Sequence, residues 1–278
     1  MEPGIPVPAP VAAGPSAEIA RILGEDRYAA AGRLHRFGWR AFSQTDEDGM
    51  IQEIFRRIGT TSRRFLEIGV GDGLENNTAY LLACGWSGTW IEADPGRIAA
   101  ILRNCDGEIR EGRLALVGGA ATPDSVDELI RDSGLSGEID LFSLDIDGND
   151  YHVLRRIEAI QPRVVVLEYN ASYRPPVRWI MSYDPDHRWD GTNYFGASLN
   201  AYDDLMTERG YSLVGCNIAG VNAFFVRSDL AVDRFAAPFD AENHYQPPRF
   251  YLVSHFAQLS GHPPRFGGEV AEPRPAGC

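Results

Sequence analysis

Hydrophobic positions along this chain follow two alternating patterns. Short, nearly continuous apolar runs, such as Val164-Val165-Val166-Leu167 and Leu114-Ala115-Leu116-Val117, have the length and branched content of strands covered on both faces. On this basis residues 65–68, 88–95, 113–117, 139–145 and 163–168 are expected to be strands, the second ending in acids. Between them, apolar residues recur at helical spacing. The clearest case is 44–55, where Ser43 precedes a first turn rich in acids and Met50, Ile51, Ile54 and Phe55 share one face. Helices are also expected over 77–82, 125–133 and 198–209, and over 16–36, where Ile19, Ile22, Leu23, Tyr28 and Leu34 are roughly in helical phase. Strands at 211–215 and 221–226, separated by a short turn near Gly220, complete the pattern. Five strand–helix units followed by a close hairpin predict an α/β fold. Its sheet should be Rossmann-like, seven-stranded and mostly parallel, with a C-terminal antiparallel hairpin and helices on both faces.

The turn after the first strand carries the strongest chemical signal. In Phe65-Leu66-Glu67-Ile68-Gly69-Val70-Gly71-Asp72-Gly73, an acid is followed by three glycines at alternate positions. Such a bend lets backbone N–H groups approach a small ligand closely. Glu92, about 20 residues beyond the glycines, has the spacing of a carboxylate that binds a ribose diol. A dinucleotide fingerprint is disfavoured, because the position it reserves for its last glycine holds Leu74. No phosphate-binding lysine follows the bend, which suits a ligand without a triphosphate.

Composition narrows the partners. The formal charge is −13, from 26 basic and 39 acidic residues, with no basic block, so a nucleic acid partner is not expected. No apolar run approaches a membrane span, and the start lacks the layout of a secretion signal, so the expected location is cytoplasmic. Four cysteines without C-x-x-C spacing suggest neither zinc nor a disulfide framework. The expected organisation is a disordered, then helical, extension over 1–37, a core over 38–230, and a Pro-rich extension over 231–278 that either wraps the core or contacts a second copy of the chain. Within the core, the long aromatic connection 171–197 is expected to be an ordered lid over an acceptor. His187, between Asp186 and Arg188, reads as a surface residue.

Acids gather at two further strand ends. Asp145-Ile146-Asp147-Gly148-Asn149-Asp150 closes the fourth strand and Glu168-Tyr169-Asn170 closes the fifth. Like charges so close need compensation, either from a divalent cation held by Asp145, Glu168 and Asn170 or from amides and a bound amino acid moiety. An EF-hand is excluded, since Asp150 and Arg156 stand where it requires Gly and Glu.

The spacing Glu67-x-Gly69-x-Gly71-x-Gly73 resembles motif I of the class I S-adenosylmethionine (SAM) methyltransferases. With Ser43-Gln44-x-x-Glu47-Asp48-x-x-Ile51 and Leu144-Asp145-Ile146-Asp147-Gly148, it looks like the FkbM type, and is also similar to the metal-dependent macrocin-type sugar O-methyltransferases. Asp147 stands where the FkbM motif usually has Glu, and Glu168 is followed by Tyr169 where the macrocin type has a second acid. The resemblance implies SAM held by Gln44, Glu67, Gly69, Gly71, Gly73, Glu92 and Asp145, and Mg²⁺ near Asp145, Glu168 and Asn170. Asp147 is the first candidate base and His152 the second, and Glu47 belongs to the motif that reaches the site. The expected activity is O-methylation of a hydroxyl on a small natural product or sugar. N-methylation, and a non-catalytic SAM-binding module, are the competing readings.

Overall fold

The computed structural model describes residues 15–252, 262–265 and 267–272. Nearly all of the expected disordered start, and the end of the C-terminal extension, lie outside them. Strands form where the apolar runs predicted: β1 (Arg64–Ile68), β2 (Ser87–Glu92), β3 (Leu114–Gly118), β4 (Gly137–Leu144) and β5 (Ile160–Glu168). A two-residue β6 (Trp179–Ile180) is followed by β7 (Tyr211–Cys216), β8 (Asn222–Arg227) and a short β9 (Glu269–Val270). The main sheet has the order β3-β2-β1-β4-β5-β8-β7. Its first five strands pair in parallel, while β8 runs antiparallel between β5 and β7. This is the expected Rossmann-like sheet with its C-terminal hairpin.

Side chains alternate across the sheet because successive Cβ atoms point to opposite faces. Phe65, Leu141, Val164, Val166 and Phe224 pack against helices α2 (Glu47–Ile58), α3 (Ala79–Ala83) and α4 (Pro95–Asn104). Leu66, Phe142, Val165, Leu167 and Phe225 pack on the other face, after the short α5 (Asp106–Arg110), against α6 (Val126–Asp132), α7 (Asp150–Leu154) and α8 (Leu199–Glu208). Helices therefore cover both faces. Local chemistry fixes their starts: the Asp94 carboxylate accepts the Arg97 amide at 2.8 Å with Pro95 next in line, and Ser198 caps α8.

Two elements differ from expectation. The helix expected over 16–36 is α1 (Pro15–Leu23), closed at Gly24; Tyr28 and Leu34 are buried from 3₁₀ turns rather than from a helix. The helix expected from residue 44 begins at Glu47, because the Asp48 carboxylate instead gathers the amides of Ala41, Phe42 and Ser43 at 2.7, 2.7 and 3.0 Å. The described parts of the C-terminal extension wrap the core, one of the two arrangements expected for it. Gln246 joins Tyr28 and Tyr169, β9 pairs with β6 inside the connection 171–197, and the Trp179 indole donates to the Gly267 carbonyl. No helix among the described residues is long and apolar enough to cross a membrane.

Candidate active site

Strand order reverses between β1 and β4, so their carboxyl ends open the crevice where α/β sheets bind ligands. The β1 end supplies the glycine bend. Gly69, Gly71 and Gly73 all have positive φ, and a Cβ at Gly69 would overlap the Asp145 carbonyl of the neighbouring loop. Only glycine fits there. Gly71 N–H donates to Glu92 Oε2 at 3.0 Å, while Glu92 Oε1 accepts the Ala93 and Asp94 amides at 2.9 Å each. The bend and the end of β2 are thus one unit. Glu67 is buried, and it accepts the Asn77 and Thr78 amides at 2.8 and 3.0 Å and the Thr78 hydroxyl at 2.5 Å. It fastens the chain entering α3, and burial pushes its carboxyl up to about 7.

The β4 end supplies an acid turn, Asp145 to Asp150. Asp150 is buried and accepts the Ile146 and Gly148 amides at 2.8 Å each, closing the turn; burial pushes its carboxyl up to about 6. Asp147 has φ +55°, the left-handed region that non-glycine residues enter at a cost. Asp145, Asp147 and Glu168 each offer a carboxylate oxygen, and these atoms lie within 4.8 Å of one another. Burial, and then repulsion from the other acids of the cluster, holds Asp145 and Glu168 well above the ordinary carboxylate range; the two also share a hydrogen bond. Burial raises Asp147 as well, opposed by Arg97, His187 and His262.

These three acids face a cavity of about 80 Å³, which Gln44 also lines. Its aromatic walls come from two distant segments: Trp189 and Phe195 from the connection, Phe250 and His262 from the C-terminal extension. A larger cavity of about 450 Å³ lies by Ile160, Pro162 and Tyr211, toward the opposite strand ends, and includes none of the expected site residues.

Other expected residues sit elsewhere. Asn170 is fully buried, its Nδ2 donating to the Asn193 and Phe195 carbonyls at 2.7 and 3.0 Å and its Oδ1 accepting the Ser172 amide. It anchors the connection and is not among the residues lining the cavity that Asp145, Asp147 and Glu168 face. His152 Nε2 bonds the Met181 carbonyl at 2.7 Å and does not line the cavity. Glu47 is buried among Thr45, Asn217 and Asn222, tying the N-terminal motif to the β7–β8 turn. His187, read as a surface residue, is half-buried against Gly148. Sequence reading placed Trp189 in the aromatic connection expected to cover an acceptor, but it missed Phe195, Phe250 and His262. A proline-punctuated tail carries no period that marks what it covers.

No protein-family model and no curated protein matches this sequence. Among solved structures, the chain is similar to an O-methyltransferase from Bacillus cereus in complex with S-adenosylhomocysteine (19% identity over 76% of this chain and 88% of that one, TM-score 0.44). It is also similar to the glycopeptide N-methyltransferase MtfA with SAM (16%, 63% and 92%, TM-score 0.40) and to the mitomycin 7-O-methyltransferase MmcR (16%, 64% and 54%, TM-score 0.37). The fold assignment rests on strand order and register, not on these likenesses.

Proposed function

We propose that this chain is a SAM-dependent O-methyltransferase of the FkbM type, acting on a hydroxyl of a small natural product or sugar. The observation that carries this reading is the juxtaposition, at the switch point of the sheet, of a glycine bend linked to Glu92 and an acid turn facing a cavity. The bend and Glu92 would hold SAM, the carboxylate taking the ribose hydroxyls on lone pairs that the backbone leaves free. Gln44 and the Asp145 loop would border the methionine end. Aromatic walls beside polar groups suit a ring-bearing acceptor.

The donor set also fits a metal ion. Burial pushes all three acids toward protonation, and repulsion within the cluster adds to it at Asp145 and Glu168; a divalent cation would compensate them, and Mg²⁺ takes such hard oxygen ligands. When bound, it would lower the pKa of the acceptor hydroxyl. Asp145, Glu168 and one oxygen of Asp147 would hold it, with the other Asp147 oxygen as base. In the transfer, the acceptor oxygen forms a bond to the methyl carbon as the carbon–sulfur bond breaks. The electron pair goes to sulfur, giving S-adenosylhomocysteine, and the hydroxyl proton passes to Asp147. The protein's part is in-line placement and charge matching.

The test is transfer of labelled methyl from SAM to a panel of sugars, phenols and amines. Label on hydroxyl acceptors that is lost in Asp147→Asn supports the reading. Label confined to amines, or none despite SAM binding, overturns it in favour of N-methylation or a binding module.

A further inference from the structure

We propose that His187 is a positioning residue, which holds the acid turn so that the Asp147 carboxylate joins the cluster. This rests on the reading of that cluster as the reactive centre. His187 Nε2 lies 3.2 Å from the Asp147 carbonyl oxygen. A carbonyl only accepts, so Nε2 carries the proton and donates. The carbonyl belongs to the one residue of the turn at positive φ, Asp147. The next residue, Gly148, has no room for a side chain, because a Cβ would strike the His187 ring.

The contact does not stand alone. Asn149 Nδ2 donates to the Asp184 carbonyl at 2.7 Å while Asp184 N–H returns a bond to Asn149 Oδ1 at 3.2 Å, and Gly196 N–H donates to the Gly148 carbonyl at 2.9 Å. Three successive residues of the turn are therefore pinned by the connection 184–196. The same connection supplies Trp189 and Phe195 to the cavity. The segment that fixes Asp147 is therefore also a wall of the cavity that Asp147 faces. The imidazole acts on the backbone of its partner and needs no contact with the substrate.

Two variants separate placement from bulk: His187→Gln keeps a donor of similar reach, and His187→Leu keeps volume without one. With Mn²⁺ as the probe in calorimetry, His187→Leu should bind about tenfold more weakly than wild type, as with other groups that orient metal ligands, and His187→Gln should recover most of that loss. S-adenosylhomocysteine affinity should stay the same in both. Equal Mn²⁺ affinity in all three proteins, or no recovery with Gln, overturns the proposal. If wild type takes up no Mn²⁺, the metal reading falls, and amide exchange over 146–149 decides the proposal. Faster exchange in His187→Leu that is restored in His187→Gln supports it, and unchanged exchange in His187→Leu contradicts it. His187→Ala replaces the Leu variant should that one fail to fold.

Discussion

Strand β4 carries an aspartate near each end, and the two are treated in opposite ways. Asp140, toward the amino end, is fully buried. It accepts the amides of Thr61, Ser62 and Arg63 at 3.0, 2.9 and 2.6 Å and pairs with Arg163 at 2.7 Å, which in turn donates to the Ile58 and Gly59 carbonyls. Asp145, five positions on, meets Glu168 and Asp147, and no Arg or His ion pair to it is found among the described residues. A buried carboxylate kept for structure is surrounded by donors, whereas an acid cluster left to repel itself costs stability and is retained where something else is meant to compensate it. On the proposed function, the same strand carries a structural acid at one position and a reactive one five positions on.

Removing one acid at each end should produce opposite results. Asp140→Ala leaves the buried Arg163 without its carboxylate and the Thr61, Ser62 and Arg63 amides without their acceptor, and should cost about 3–5 kcal/mol in urea unfolding, without changing S-adenosylhomocysteine affinity per folded molecule. Asp145→Asn should do the reverse. Methyl transfer should fall about 100-fold or more, while stability at pH 8 stays level or rises, because one repelling charge is gone. If both variants unfold alike, the contrast between the ends is wrong.

pH sharpens the same contrast. Glu67 and Asp150 sit at about 7 and about 6, above their ordinary 4.5 and 3.8, and Glu168 is also raised. A carboxyl raised by folding stabilises the fold below its unfolded value and loses that contribution as pH rises through the folded one. His35 and His244, which burial pushes down to about 3, act below their ordinary 6.5 and lose stability as pH falls. Above pH 6.5 the histidines are neutral in both states and Asp150 is already ionised, so Glu67, up to about pH 7, and Glu168 set the slope. Stability in urea unfolding should drop as pH rises, by at most about 1.4 kcal/mol per pH unit for each proton released. Glu168→Gln should flatten that slope, and Mg²⁺ should reduce it. The smallest effect is expected at His152, where His152→Gln should change transfer less than about threefold, since its ring bonds a loop carbonyl outside the cavity.

The architecture was readable because its signals are local. Continuous runs such as Val164 to Leu167 mark buried strands without knowledge of their neighbours, and three alternate glycines require a bend wherever they occur. Asp145, Asp147 and Glu168 were readable for the same reason, as acids at strand ends. Asn170 was not, because its amide is engaged by Asn193 and Phe195, more than twenty residues away. Its residue type fits a metal ligand equally well. His187 and His262 were beyond reach of spacing arguments, since their positions depend on how a long connection and a tail fold back over the β4 loop. The start of α2 moved for a competing local reason: Asp48 captures three upstream amides, and the chain stays bent until Glu47.

Calorimetry of the purified chain with S-adenosylhomocysteine, in Mg²⁺ and again in EDTA, addresses the central claim most directly. The account predicts saturable one-to-one heat that is abolished by Gly69→Ala, whose Cβ would drive the bend off the Asp145 loop, and a separate Mg²⁺ uptake lost in Asp145→Asn. Well-folded protein that gives no heat with this ligand would contradict it.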